Sequence, residues 1–274
     1  SNWPAKKIMQ NKTILIFGDV VGKIGREALA KALPDLRSQY KPDLVLANGE
    51  NLAHGFGITP KTVRQMFDAG VDVLTSGNHI WSNPAYKDVF SDPELNRRVV
   101  RPLNDPHTEG IGYTIRENDH GRFLIICLNG RVFIDESYDI FFDPVDRVLN
   151  DLKDEHFDAI LVDFHAEATS EKNVLGLYLD GRVSCVYGTH THVPTADERI
   201  LPKGTAYISD VGMIGTHNQA IGGLYEPILE GMKQGSLGKF EVPQSGLVEI
   251  NALLVKIKDG QTSSIERNQE LLAI

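Results

Sequence analysis

The sequence predicts an α/β fold built on a largely parallel sheet, and two observations support this prediction. Short apolar runs rich in β-branched residues, such as residues 13–17, have the continuous hydrophobicity of strands buried on both faces. These runs alternate with longer stretches of helical periodicity, which is the order typical of parallel βαβ units. Because the carboxyl ends of parallel strands share one edge of the sheet, we expect the functional residues in the loops there.

The first third of the chain is predicted to contain three strands and two helices. Thr59 has the features of an N-cap with Pro60 at the first helical position. Pro34 is expected to bend the preceding helix, because proline lacks the backbone donor that helices require. The predicted elements are strands at residues 13–17, 44–47 and 71–75, and helices at residues 25–40 and 60–69.

The rest of the chain continues this alternation less regularly. Few residues separate the strands at 113–115 and 123–127, so antiparallel pairing is expected. Asp143 is predicted to cap a helix, and Gly181 to close the next one. A glycine-rich segment at residues 212–223 is expected to be mobile. Further predicted elements are helices at residues 144–154 and 169–180, and strands at residues 159–164, 184–187, 206–208 and 247–257.

Composition and charge narrow the class of protein. With 274 residues, 41% hydrophobic and 24% charged, the chain is typical of globular proteins, and we interpret residues 1–274 as a single domain. The formal net charge of -9 argues against strong binding of nucleic acid through bulk electrostatics. No apolar run approaches the roughly 20 residues that cross a bilayer, so no membrane association is expected.

The cysteines and the amino terminus are typical of a cytoplasmic protein. Cys127 and Cys185 lie in apolar runs and form no CxxC pair, so each is expected to be a buried free thiol in a reducing compartment. The opening residues contain no signal-peptide pattern. We expect residues 1–12 to be flexible or to include non-native residues, with Met9 as a candidate natural start.

Polar side chains with metal-ligand chemistry follow the apolar runs. After the strand at residues 184–187, which Gly188 is expected to end, two histidines at i and i+2 would share one face of extended backbone. Singly, such residues are often helix caps, turn residues or core histidines, but their recurrence at five strand ends predicts a metal site. The residues in these positions are Asp19, Glu50, Asn51, Asn78, His79, His165, His190 and His192.

So many candidate ligands indicate two metal ions rather than one. Two ions about 3.5–4 Å apart that share a carboxylate can clamp a phosphoryl group during in-line displacement. They lower the pKa of a bridging water, so that hydroxide becomes the nucleophile at neutral pH. The leaving oxygen needs a proton, and a histidine beside the metals but not bound to them is a suitable donor.

The motifs around these residues resemble those of a known superfamily. Gly77-Asn78-His79 and the run from Gly188 to His192 resemble motifs of the calcineurin-like metallophosphoesterases. The runs at residues 17–22, 48–51 and 163–169 resemble one branch, the bacterial YmdB-type phosphodiesterases that act on 2′,3′-cyclic nucleotides. The resemblance extends over residues 14–223, which is most of the chain.

This resemblance implies a four-layer αββα fold, in which two facing mixed sheets are flanked by helices. It also implies two metal ions bridged by Glu50, with iron as the expected metal and manganese or zinc as alternatives. His79 would be the general acid. The implied ligands are Asp19, Asn51 and His192 for one ion, and Asn78, His165 and His190 for the other.

Two positions depart from the wider superfamily pattern and agree with the branch. The superfamily has Asp-x-His after its first strand, whereas here Val21 stands in place of the histidine. Glu50 stands where the superfamily bridges its metals with Asp, and its extra methylene could change the metal spacing. Asn51 is the obvious substitute for the missing imidazole.

Three functions remain open on the sequence. The first is a phosphodiesterase of small cyclic nucleotides such as 2′,3′-cAMP, in which His79 is the acid. The second is a phosphomonoesterase or an RNA-processing nuclease, although the acidic charge disfavours a nuclease. The third is a metal-stabilised regulatory protein with little catalysis, whose segment at residues 212–223 binds a partner. A structural metal site would not need His79, so this residue distinguishes the third function from the others.

Some residues near the motifs have no assigned role. His54 could contact substrate or simply be solvated in its loop, and Arg131 could reach a phosphate oxygen or lie on the surface. Glu167 and Thr169 could orient His165 through hydrogen bonds. No substrate-binding residue is predicted, and the oligomeric state is open, a homo-oligomer included.

Overall fold

Two mixed sheets of six strands each form the centre of the computed structural model, which describes residues 11–274. In spatial order, the first sheet consists of β12 (Gln261–Ala273), β11 (Leu247–Lys258), β10 (Met213–Thr216), β1 (Asn11–Val20), β2 (Leu44–Asn48) and β3 (Val73–Thr75). The second sheet consists of β4 (Tyr113–Asn118), β5 (Gly121–Asn129), β6 (Ala159–His165), β7 (Cys185–Thr189), β9 (Ala206–Ile208) and β8 (Arg199–Ile200).

Helices cover the outer faces of both sheets. On the first sheet these are α1 (Gly22–Tyr40), α2 (Pro60–Ala69), α3 (Tyr86–Ser91) and α4 (Pro93–Asn96), with a 3₁₀ turn at Asn78–Trp81. On the second sheet they are α5 (Phe142–Asp151) and α6 (Thr169–Leu179). A further helix, α7 (Tyr225–Lys233), precedes β11 in the chain. This arrangement confirms the predicted four-layer αββα fold.

The side-chain alternation of β1 shows why its sequence is apolar throughout. Ile14 and Ile16 pack into the core between the two sheets, while Leu15 and Phe17 pack into the core beneath the helices of the first sheet. Successive side chains of a strand point to opposite faces, so a strand covered on both sides needs apolar residues at every position. The core between the two sheets fixes the position of one sheet relative to the other.

Strand register aligns the ends that carry the candidate ligands. In the first sheet, β10, β1, β2 and β3 are parallel, with Asp19 paired to Asn48 and Asn48 to Thr75. In the second sheet, β5, β6, β7 and β9 are parallel, and His165 pairs with both Asn129 and Thr189. The carboxyl ends of these strands therefore form one edge in each sheet, as expected for parallel strands.

Most predicted elements are confirmed within a few residues. Thr59 caps α2 through a reciprocal capping box with Thr62, and Pro34 lies inside α1. The predicted pairing of β4 with β5 is antiparallel. Cys127 and Cys185 are buried free thiols, and burial raises the pKa of both. The prediction that residues 1–12 are flexible or include non-native residues falls mostly on residues 1–10, which lie outside the described residues. Residues 11 and 12 begin β1.

Three local predictions are wrong. The segment at residues 212–223 contains the buried strand β10, which pairs with both β1 and β11. Gly188 does not end β7, because the strand continues through Thr189. Asp143 is not an N-cap: α5 begins at Phe142 and has no side-chain cap, so Asp143 lies in the first turn. In the first two cases, strand pairing with distant residues overrides the local effect of glycine.

Within residues 11–274, no helix combines the length and the apolar character that crossing a bilayer requires.

A buried ion pair ties α6 to the loops after β7 and β9. Lys172 Nζ lies 2.9 Å from Asp210 Oδ2 and donates to the carbonyl oxygen of Thr189 at 3.0 Å. The same carboxylate accepts from the backbone N–H groups of Thr191 (3.0 Å) and Gly212 (2.8 Å). Because the loop after β7 carries His190 and His192, this pair fixes the backbone on which two candidate ligands lie.

Replacing Lys172 by Met should therefore be costly. It leaves the Asp210 carboxylate buried without its cation, and breaking such a pair costs about 3–5 kcal/mol of unfolding free energy. Urea unfolding followed by circular dichroism measures the loss. Lys233→Met is the matched control, because Lys233 also lies 2.9 Å from a carboxylate, that of Glu230, but on the surface. The control should lower the unfolding free energy by less than about 1 kcal/mol. Equal losses in the two variants would contradict the stabilising role of the Lys172–Asp210 pair.

Candidate active site

The loops after β2 and β7 and the last residue of β6 bring three predicted ligands into contact between the two sheets. Glu50 Oε1 lies 3.0 Å from His165 Nε2, and His165 Nε2 lies 3.1 Å from His190 Nδ1. These ligand atoms are all within 4.8 Å of one another, which is compact enough for a shared metal ion. Glu50 comes from the first sheet and both histidines come from the second.

Asp19, Asn51 and His192 lie together on the other side of this cluster. Asp19 Oδ1 is 3.9 Å from His165 Nδ1 and 3.9 Å from His192 Nε2. Asn51 Nδ2 is 3.2 Å from the same His192 nitrogen, and His192 Nδ1 is 2.8 Å from the carbonyl oxygen of Ile221. The loop after β10 thus orients His192, leaving Nε2 towards Asp19.

Three buried oxygen atoms of the predicted ligands have no hydrogen-bond partner among the described residues: Asp19 Oδ1, Asn51 Oδ1 and Asn78 Oδ1. An unsatisfied buried acceptor costs about 1–3 kcal/mol, and more when it is charged. Bound cations would satisfy these oxygen atoms, and carboxylate, amide and imidazole ligands suit Mn, Fe or Zn. The residues present therefore fit a metal centre.

The two histidines after β7 do not reach the cluster through extended backbone. His190 has φ +101° and His192 has φ +66°, so the predicted strand-like alternation is wrong. Non-glycine residues in this region carry strain that the surroundings must compensate. Here the backbone N–H of His190 donates to Asp19 Oδ2 at 3.1 Å, and Asp210 holds the intervening Thr191.

A hydrogen-bond chain behind His165 orients its ring. Thr189 Oγ1 donates to Asp163 Oδ1 at 2.7 Å and lies 2.9 Å from His165 Nδ1. Since the hydroxyl proton goes to the carboxylate, Thr189 must accept from Nδ1–H. His165 therefore directs Nε2 at Glu50, which is the tautomer that metal ligation through Nε2 requires.

Asp163 is a supporting residue that the motifs did not single out. It is fully buried and also accepts from Asn48 Nδ2 at 3.0 Å and from the Thr75 hydroxyl. Burial raises the pKa of Asp163 to about 6, although His165 and these hydrogen bonds act in the opposite direction. The signal in the sequence was an acidic residue inside the apolar run of β6, where a charge needs a specific partner.

Gly77 is required by the close approach of the two sheets. A Cβ atom at this position would lie 2.3 Å from His165 Nε2 and 2.5 Å from Glu50 Oε2. Both distances are shorter than any tolerable contact with a carbon atom. The space beside these two ligand atoms therefore exists because residue 77 has no side chain.

The surroundings shift the pKa values of Glu50, His165 and His190 in different directions. Burial opposes ionisation of Glu50, but the neighbouring His165 and His79 outweigh it and lower the pKa of Glu50. The same contact raises the pKa of His165 against the effect of its burial. Burial and the nearby charge of His165 lower the pKa of His190 to about 3, so His190 is neutral and has a lone pair for a metal.

His79 lies beside the cluster without belonging to it. Its backbone N–H donates to Glu50 Oε2 at 2.8 Å, while its half-buried ring meets the edge of Phe56 at a centroid distance of 4.8 Å. Nδ1 is 3.5 Å from Ser82 Oγ. The imidazole is thus placed next to the predicted ligands by its main chain.

The residues without assigned roles fall in different places. Glu167 lies 3.1 Å from His190 Nε2, so it contacts His190 rather than the predicted His165. The Arg131 guanidinium donates to the carbonyl oxygen of Glu136 in its own loop, at 2.5 Å. His54 is exposed, with φ +56°, in the loop that follows Glu50.

Comparison with known proteins identifies the family of this chain. The sequence matches the model of the family described as YmdB-like protein over residues 15–268. It is 40% identical over 260 residues to the 2′,3′-cyclic-nucleotide 2′-phosphodiesterase of Bacillus subtilis (strain 168), covering 94% of this chain and 96% of that protein.

Two solved structures have the same fold over nearly their whole length. A hypothetical protein from Thermus thermophilus superposes with a TM-score of 0.86 at 40% identity, covering 94% of this chain and 99% of that one. A structure described as a novel phosphatase from Mycoplasma pneumoniae gives 0.87 at 34% identity, covering 96% and 95%. The chain therefore belongs to the YmdB-like family and is a phosphoric ester hydrolase.

Proposed function

We propose that this protein is a dinuclear-metal phosphodiesterase that hydrolyses small cyclic nucleotides such as 2′,3′-cAMP. The observation that carries the proposal is the set of buried oxygen atoms on Asp19, Asn51 and Asn78 that have no donor among the described residues, together with the Glu50–His165–His190 cluster. Five chain segments at the edges of the two sheets supply these residues. The substrate class rests on the activity for which the Bacillus subtilis relative is named.

The ligand assignment is the one that the family resemblance implies, and the contacts among Glu50, His165 and His190 support part of it. Asp19, Asn51 and His192 would hold one ion, while Asn78, His165 and His190 would hold the other, with Glu50 between them. Two ions at this place would supply an activated hydroxide and neutralise charge on the phosphoryl oxygens. We propose iron, with manganese or zinc as alternatives, because nitrogen and oxygen ligands accommodate all three.

His79 would protonate the leaving oxygen. Its main-chain bond to Glu50 fixes it beside the ligands, and its ring lies on the half-exposed side of the cluster. Phe56 packs against the ring edge and restricts its rotation. A positioned imidazole of this kind contributes about 10²–10⁴-fold to the rate of proton transfer steps.

Phosphomonoester hydrolysis is the second candidate, since the Mycoplasma pneumoniae structure is described as a phosphatase. Both reactions could use the same ligands and the same acid. They differ in whether the substrate phosphorus carries one or two ester bonds, so substrate preference separates them.

The first prediction concerns His79→Ala. Turnover of 2′,3′-cAMP should fall by about 10²–10⁴-fold because the leaving oxygen loses its proton donor. Metal content, measured by inductively coupled plasma mass spectrometry, should not change, because His79 is not a ligand. His120→Ala is the control, since His120 is an exposed histidine on the second sheet. Unchanged turnover in the His79 variant would remove it from the mechanism.

Glu50→Gln should deplete both ions while preserving the fold. The amide keeps the size of the side chain and an acceptor for His79 N–H, but it removes the charge that the two ions would share. Elemental analysis should show loss of metal, and circular dichroism should show a folded protein. Glu117→Gln, at an exposed carboxylate, should retain the wild-type metal content. Full occupancy in the Glu50 variant would refute the bridging role.

A substrate panel tests the reaction class. Purified protein supplied with Fe or Mn should hydrolyse 2′,3′-cAMP with a higher kcat/KM than 2′-AMP or 3′-AMP. A chelator should abolish the activity, and added metal should restore it. A preference for the monoesters would favour the phosphatase instead, and no hydrolysis of either substrate class would favour the metal-stabilised regulatory protein.

A further inference from the structure

A basic cavity of about 550 Å³ lies on the far side of the loop that carries Glu50 and Asn51. Its charged lining consists of Lys23, Arg26, Lys61 and Lys239, opposed by the single carboxylate of Glu241. A neighbouring cavity of about 710 Å³ shares Lys23, Arg26 and Lys61 but adds the carboxylates of Glu27 and Asp68 beside Arg64, so the excess of positive charge is smaller there than in the first cavity. This local excess of positive charge stands out in a chain whose formal net charge is -9.

Two helices begin at this cavity, and each has a lysine in its first turn, where a positive charge destabilises a helix. Lys23 is the second residue of α1 and Lys61 is the second residue of α2, and neither helix has an acidic residue in its first turn. The amino terminus of a helix carries partial positive charge and favours Asp or Glu there. Two neighbouring helix starts with lysine therefore concentrate a positive field, which favours a bound anion.

The cations differ in how far they are neutralised. Lys239 lies 2.7 Å from Glu241, and Lys23 lies 3.5 Å from Glu27. Within residues 11–274, neither Arg26 nor Lys61 forms a salt bridge. Arg26 is nevertheless fixed in place, because it donates to Gln65 Oε1 at 2.7 Å and to the carbonyl oxygen of Leu52.

An aromatic path connects this cavity to the candidate active site. Phe56 contacts His79 at a centroid distance of 4.8 Å and Phe240 at 5.1 Å, and Phe240 lines the cavity. Phe56 is 38% exposed, so part of this side chain is accessible to a ligand. Phenyl rings beside a row of cations are the usual features of a single-stranded nucleic acid track, where bases stack and phosphates meet Lys and Arg.

We propose that the preferred substrate is a short RNA strand that ends in a 2′,3′-cyclic phosphate, with its 5′-side phosphates in the basic cavity. This inference rests on the proposed function and extends it. A 2′,3′-cyclic phosphate requires a ribose 2′-hydroxyl and can close a polymer only at the 3′ end of RNA. When that end lies beside His79, the strand can continue past Phe56 and Phe240 to the lysines.

The acidic net charge does not oppose this proposal. Salt screens charges beyond about 8 Å at physiological ionic strength, so a phosphate in the cavity is governed by the lysines and helix starts around it. The acidic remainder of the surface would instead limit how many further nucleotides bind. A short strand is therefore favoured over a long one.

The first test measures binding without catalysis. A fluorescent RNA oligonucleotide with a free 3′-hydroxyl is titrated with the metal-loaded protein at several salt concentrations. The double variant Lys23→Ala/Lys61→Ala should bind about tenfold more weakly, and the slope of log K against log salt should fall by about 1.4. Lys153→Ala, at an exposed lysine outside the cavity, should bind as the wild type does. Equal binding by the double variant would overturn the proposal.

The second test compares substrates. The wild type should show a higher kcat/KM for an oligonucleotide ending in a 2′,3′-cyclic phosphate than for 2′,3′-cAMP. The double variant should lose this advantage and keep its kcat/KM for 2′,3′-cAMP. Its melting temperature should be equal or higher, because two lysines are removed from helix starts.

The outcomes separate the two proposals. Hydrolysis of 2′,3′-cAMP without any advantage for the oligonucleotide would overturn this inference and leave the proposed function intact. An equal loss on both substrates in the double variant would also overturn it, because the lysines would then serve the catalytic centre. Hydrolysis of neither substrate by the wild type would overturn the proposed function and this inference together.

Discussion

The contact between Glu50 and His165 is the constraint on which the rest of the site depends. Its two atoms, 3.0 Å apart, belong to different sheets, so the distance is set by how the sheets pack and not by any local turn. Apolar side chains such as Ile16 and Leu46 from one sheet and Leu161 from the other fill the space between the sheets. Gly77 lets the two edges meet because it adds no atoms at the point of contact.

The sequence predicts the fold well and proposes the candidate ligands, because both inferences depend on local patterns. Continuous apolar runs such as residues 13–17 are a direct consequence of burial on both faces, and each ligand type follows one of these runs. The resemblance to metallophosphoesterases supplied the second sheet, which periodicity alone did not reveal. The family comparison then confirmed the branch.

The features that could not be predicted from the sequence depend on contacts between residues far apart in the chain. His190 and His192 reach the cluster through backbone with positive φ, which Asp19, Asp210 and the carbonyl oxygen of Ile221 stabilise from three separate segments of the chain. The glycines after residue 211 suggested mobility, yet pairing with β1 and β11 makes β10 a buried strand. Net charge likewise concealed the basic cavity, because charge summed over a chain carries no information about position.

The origin of the candidate ligands in both sheets has a consequence for how long the protein persists in a cell. A cation held between Glu50 and His165 would cross-link the two halves of the fold, and any ligand that binds the folded chain alone raises its stability by mass action. Molecules that lack metal would open between the sheets more often and expose the apolar side chains there to proteases. Scarcity of metal would then reduce the abundance of the enzyme as well as its activity.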